Sequence, residues 1–98
     1  LTPQMLFAMA IAETVYSAAG YPTVTVTSLG ERESLHKDGS KHYTGEAVDF
    51  RLNHIAEAGK RAWIAERLTL RLVPAGYDVL HEYKGTAREH LHIEVEPR

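Results

Sequence analysis

An imidazole and a carboxylate seven residues apart, His42 and Asp49, are carried by the stretch Ser40-Lys41-His42-Tyr43-Thr44-Gly45-Glu46-Ala47-Val48-Asp49. Gly45 between them lets the chain turn. Both are competent metal ligands. A catalytic zinc ion typically takes three protein ligands and keeps a fourth position for water, so a third ligand must come from elsewhere. The segment Glu89-His90-Leu91-His92-Ile93-Glu94-Val95 is the obvious supplier, through His92. Ligation by His42, Asp49 and His92 would bring the pKa of a water in the open position towards neutrality. Glu89, three residues before His92, can reach that water as general base. Attack on an amide carbonyl then gives a tetrahedral oxyanion, stabilised by the metal and assisted by a nearby cation or imidazole such as Arg32 or His90.

Each of these residues also has a plainer reading. His42 taken alone is a surface-loop histidine, and Asp49 can be the ion-pair partner of Arg51 or of a lysine. His90 and His92 can be solvent-facing strand residues, and Glu89 a solvated turn carboxylate. The catalytic reading gains weight from patterning that independently turns Asp49 and His92 away from the core.

That patterning begins with the elements. Thr2 before Pro3 is a helix start, Gly20 a stop, and Met5, Met9, Ala12 and Tyr16 recur between them at helical spacing. The methionines read as core rather than as ligands. Residues 21–28 alternate Thr23, Thr25 and Thr27 with Val24 and Val26, a strand with one buried face. Residues 30–41 are polar, with Asp38-Gly39 as a turn signal, and read as a surface loop leading to His42.

Residues 47–52 alternate again, with Val48, Phe50 and Leu52 on the apolar face and Ala47, Asp49 and Arg51 on the other. From about Ile55 to Leu72 the spacing is helical, with Ile64, Ala65, Leu68 and Leu72 as the stripe and Pro74 and Gly76 as the stop. Residues 77–83 and 91–95 flank Lys84-Gly85 as an antiparallel hairpin. In its second strand Leu91, Ile93 and Val95 are apolar, while His90, His92 and Glu94 share the opposite face. Both polar strand faces can meet over one site. Among the remaining histidines, His36 lies in the loop, His54 reads as a turn or helix-entry residue, and His81, sharing a face with Tyr77, Val79 and Tyr83, reads as a packed structural residue.

The 98 residues suffice for one domain, 1–98, with a single core. Apolar residues at 44% and charged residues at 24% are those of a globular chain. A net charge of -2 without a basic run argues against a nucleic-acid partner. The chain has no cysteine, so thiolate zinc sites and disulfides are excluded and any metal falls to His and carboxylate. The longest apolar stretch, Met5 to Ala12, is too short to span a bilayer and lacks the basic flank of a signal peptide. A start at Leu1 is compatible with a removed leader or a larger parent protein. Oligomeric state is left open.

The residues Ser40-x-His42-x-x-Gly45-x-Ala47-x-Asp49 match the Ser-x-His-x-x-Gly-x-Ala-x-Asp signature of the zinc D-alanyl-D-alanine carboxypeptidases and dipeptidases and the related L-alanyl-D-glutamate endopeptidases. Glu89-x-x-His92 resembles their second signature, in the family's order. The match covers roughly the C-terminal two thirds of the chain, with a suitable helix and strand before it. The resemblance implies zinc on His42, Asp49 and His92, Glu89 as catalytic base, and a peptide of the bacterial cell wall as substrate. It also implies the α+β fold shared with the hedgehog signalling domain: a small antiparallel sheet, helices on one face and a zinc cleft on the other. The His90-x-His92 pair is similar to that domain too, which gives His90 a place near the metal without being a ligand.

The family's substrate-binding arginine follows the first strand in a Ser-Gly-Tyr-Arg-like sequence. Here Ser28-Leu29-Gly30-Glu31-Arg32 is one residue longer, and Arg32 is the candidate for that role. Leu91 stands where an aromatic residue often precedes the last histidine. The reading that results is a zinc metallopeptidase of peptidoglycan stem peptides, a cell-wall enzyme or a phage endolysin or virion-associated lysin. It would act outside the cytoplasm, at the wall or periplasm, or on the virion. The alternative is a zinc-bearing structural or binding module without turnover.

Overall fold

A computed structural model describes residues 2–29 and 47–95. The expectations for Arg32, His36 and His42, and for Ser40, Tyr43, Thr44 and Gly45 around them, lie outside the described residues. Two helices and four strands are described: α1 (Pro3–Ala18), β1 (Val26–Leu29), β2 (Ala47–Arg51), α2 (Ala58–Leu72), β3 (Tyr77–Glu82) and β4 (His90–Val95), with a 3-10 turn at Val73–Ala75. The strands form one antiparallel sheet in the order β1-β2-β4-β3. The fold class is therefore α+β, a four-stranded antiparallel sheet with two helices.

The helix start at Thr2 follows from side-chain chemistry. Its hydroxyl accepts the Met5 N–H at 3.1 Å, and Pro3 fills the first turn, where a missing N–H costs nothing. Met5, Ala8, Ala12, Val15 and Tyr16 are buried, with Met9 packed at the margin of the same stripe. The second helix begins at Ala58, three residues after the Ile55 start expected from spacing. Three local bonds delay it. The Ile55 N–H closes a turn onto the Leu52 carbonyl at 3.0 Å, and the Arg61 guanidinium takes the carbonyls of Ile55 and Ala56 that a helix would otherwise use. Ile64, Ala65, Leu68 and Leu72 are its buried face.

The first strand is shorter than the Thr/Val alternation predicts, starting at Val26 rather than near Tyr21. The Tyr21 N–H is spent on the Tyr16 carbonyl at the end of α1, and Pro22 has no N–H to give a ladder. Thr25 still accepts the Arg51 N–H at 2.9 Å, and the register shifts between Val26 and Ser28, an irregularity that bends the edge of the sheet.

Val48, Phe50, Leu91 and Ile93 point into a core shared with both helices, and Tyr77 closes it from β3. Burial of each large side chain there is worth about 1.5–3 kcal/mol, so this face fixes the register of β2 against β4. The reverse face consequently carries Asp49, Arg51, His90, His92 and Glu94. Tyr16 ties α1 to that arrangement: it is fully buried, and its hydroxyl donates to the Arg51 carbonyl at 2.9 Å. Tyr16→Phe is expected to cost about 1 kcal/mol in chemical denaturation, the usual net value of one buried hydrogen bond. Among the described residues no helix is long and apolar enough to cross a membrane.

Candidate active site

The pairing of β2 with β4 sets Asp49 directly opposite His92 and Arg51 opposite His90. His92 Nδ1 lies 2.8 Å from Asp49 Oδ1, and His92 Nε2 lies 2.5 Å from Glu94 Oε1. Both ring nitrogens thus face carboxylate oxygens, which accept and cannot donate when ionised, so the ring in this arrangement is the doubly protonated imidazolium. Burial alone would lower the His92 pKa, but the hydrogen bonds to Asp49 and Glu94 outweigh it and raise it to about 9. His92 and Glu94 are nearly buried, and Asp49 is partly exposed.

A group whose pKa is raised on folding contributes stability below its unfolded value and loses it as pH passes the folded value. For His92 the contribution is complete below 6.5 and fades between 6.5 and about 9. Glu89 works at the acid end. Its burial opposes ionisation, but the hydrogen bonds from His81 and the Gly85 amide and the charge of Arg61 lower its pKa below 4.5. Its contribution is complete above 4.5 and is lost as pH falls below that value. Denaturation of the metal-free chain at a series of pH values should therefore show stability falling from pH 6.5 to pH 9. A flat profile there would contradict the imidazolium assignment.

Glu89 sits at the entry to β4 and is 4% exposed. Its Oε2 is 2.6 Å from His81 Nε2, and its Oε1 accepts the Gly85 N–H at 3.1 Å. Gly85 presents that N–H from a left-handed conformation, φ 77°, which suits glycine. Arg61 Nε lies 2.8 Å from the same Oε1 but is not aimed at it, so the contact is an ion pair rather than a directed hydrogen bond. His81 is therefore held by a polar contact to the Glu89 carboxylate. His90 donates from Nδ1 to the Arg88 carbonyl and meets Glu82 Oε1 through Nε2, both at 2.8 Å. His54 occupies a turn, edge-on to Tyr21.

Of the residues singled out from sequence, the structure brings Asp49 and His92 into contact, sets His90 two residues along the same strand face, and engages Glu89 with His81, Gly85 and Arg61. Arg32 and His42 lie outside the described residues. Glu94 was legible as a face-mate of His92, since the two are separated by one residue of a strand. The Arg61 contact to Glu89 had no local signal, because Arg61 arrives from α2, whereas His81 lies across the hairpin that the alternation of its strands predicts.

An imidazole and a carboxylate side by side, with no thiol in the chain, suit zinc in donor chemistry. Among the described residues no group of three His, Asp or Glu side chains is arranged to hold a metal. Zinc would have to displace the proton of His92 and release one of its two carboxylate contacts, so its uptake should liberate a proton. Next to the pair, a cleft of about 200 Å³ opens between Thr27, Arg51, Asn53, Arg88, Glu89 and His90. No family model, curated protein or solved structure matches this chain.

Proposed function

We propose that this chain is a zinc metallopeptidase that hydrolyses peptide bonds of peptidoglycan stem peptides, in cell-wall remodelling or phage lysis. The observation that carries the reading is the Asp49–His92 contact across β2 and β4, at 2.8 Å, from two signatures far apart in sequence. His42, Asp49 and His92 would hold the metal. Zinc, when bound, supplies a Lewis acid that acidifies water and stabilises an oxyanion.

The chain's own residues have separable tasks. In the metal-free chain Asp49 accepts a hydrogen bond from one His92 ring nitrogen and Glu94 from the other, and zinc would take the place of one of these contacts. Glu89 is kept ionised by Arg61, His81 and the Gly85 amide, which is the protonation state a general base needs. His90 stands two residues from His92 on the same strand face, and to assist a developing negative charge its ring would have to release Glu82 or the Arg88 carbonyl.

The engagement of both Glu89 oxygens favours a second reading, a zinc-bearing structural or binding module without turnover. Digestion of purified peptidoglycan with and without chelator, with products identified by mass spectrometry, separates the two. Chelator-sensitive release of defined peptides is the expected result. Zinc binding without any release would select the module.

A further inference from the structure

The cleft beside the Asp49–His92 pair carries two arginines that make no ion pair among the described residues. Arg51 follows Asp49 on the same face of β2 and pairs opposite His90, so it stands two residues along the ladder from the histidine–aspartate pair. It is exposed, and among the described residues it makes no ion pair. Arg88 is also exposed and lies over the Tyr83 ring, its guanidinium carbon 4.4 Å from the ring centroid, which limits the orientations of its fork. Both side chains line the same cleft of about 200 Å³. Among the described residues its one carboxylate, Glu89, is already engaged by His81, the Gly85 amide and Arg61. Asn53 donates its amide to the Ala87 carbonyl, and His90 is held by Glu82 and the Arg88 carbonyl.

We propose that the cleft between Arg51 and Arg88 is a carboxylate-binding subsite that receives an acidic group of the peptide substrate next to the Asp49–His92 pair. This rests on the peptidase reading for the identity of the ligand. Guanidinium groups bind carboxylates through paired N–H donors, and two of them on one small cleft in a chain of net charge -2 mark a local exception to its overall acidity. Asp49 and Arg51 are two strand residues apart, or about 7 Å. An extended peptide advances about 3.3–3.6 Å per residue, so the carboxylate belongs one or two residues from the bond held at the pair. Such a group is either the chain-terminal carboxylate of the substrate or the free carboxylate of a glutamate within it.

The test measures binding to the metal-free chain, so that it does not depend on turnover. Calorimetric titration would compare N-acetyl-D-alanyl-D-alanine with its C-terminal amide. A second pair would compare a C-terminally amidated L-alanyl-D-glutamyl peptide with its glutamine counterpart. The acid of at least one pair should bind about 10- to 100-fold more tightly than its neutral partner, the range expected for hydrogen bonds to a charged group. Arg51→Gln and Arg88→Gln should each remove that preference, while Lys84→Gln, an exposed cation outside the cleft, should leave it intact. Circular dichroism of the variants checks that the fold is retained, as the exposure of both arginines leads one to expect. Preference in the first pair assigns the terminal carboxylate, and preference in the second assigns the internal glutamate. Equal binding of acid and neutral forms in both pairs, or a preference that survives Arg51→Gln, overturns the subsite. A preference that follows Arg51 without chelator-sensitive cleavage would instead overturn the peptidase reading and leave the subsite standing.

Discussion

Replacing His92 by alanine is expected to abolish zinc binding and to destabilise the metal-free chain by on the order of 3 kcal/mol, the scale for removing one partner of a buried charge pair. The size follows from what is left behind. Asp49 and Glu94 each lose the imidazolium they contact at 2.8 and 2.5 Å, and Glu94 is nearly buried. Two carboxylates would then face one gap, each raising the cost of ionising the other. His92→Gln keeps an N–H donor for one of them and should recover part of the stability without restoring zinc. Chemical denaturation and elemental analysis of the two variants read these effects separately. Zinc content equal to wild type in both would remove His92 from the ligand set.

Glu89→Gln should leave zinc content unchanged and lower turnover by about 10²- to 10⁴-fold, the range for losing a positioned general base. A glutamine oxygen can still accept the Gly85 N–H, but Arg61 loses its counter-charge and His81 its carboxylate partner. A stability loss of about 1–2 kcal/mol is expected alongside, from hydrogen bonds to a charged group that become neutral ones. Measuring kcat on a defined stem peptide together with the denaturation midpoint distinguishes the roles. Stability loss with unimpaired kcat would make Glu89 a structural carboxylate and send the search for the base elsewhere.

The parts of the fold that are legible in sequence are those set by period and by caps. Thr2 and Pro3 announce the first helix, and the alternation of Val48, Phe50 and Leu52 settles which way Asp49 faces. The same logic puts His92 and Glu94 on one side of β4, because Leu91 and Ile93 must enter the core. The limits of β1 and α2 were set by less visible competition. A helix-end carbonyl takes the Tyr21 N–H and Pro22 has none to give, so the ladder starts later than the alternation, and Arg61 folds back on the carbonyls of Ile55 and Ala56. The surroundings of Glu89 follow the same pattern. A turn glycine is readable beside it and the hairpin brings His81 across from β3, but the arrival of Arg61 from α2 depends on tertiary packing that no local spacing encodes.

The most direct test of the account is the zinc content of the purified chain after dialysis against trace zinc, measured by elemental analysis beside Asp49→Asn. The account predicts about one zinc per wild-type chain, with uptake that releases protons below pH 9, and substantially less in the variant. No zinc in the wild-type chain, or equal zinc in both, would contradict the metal site on which the functional reading rests.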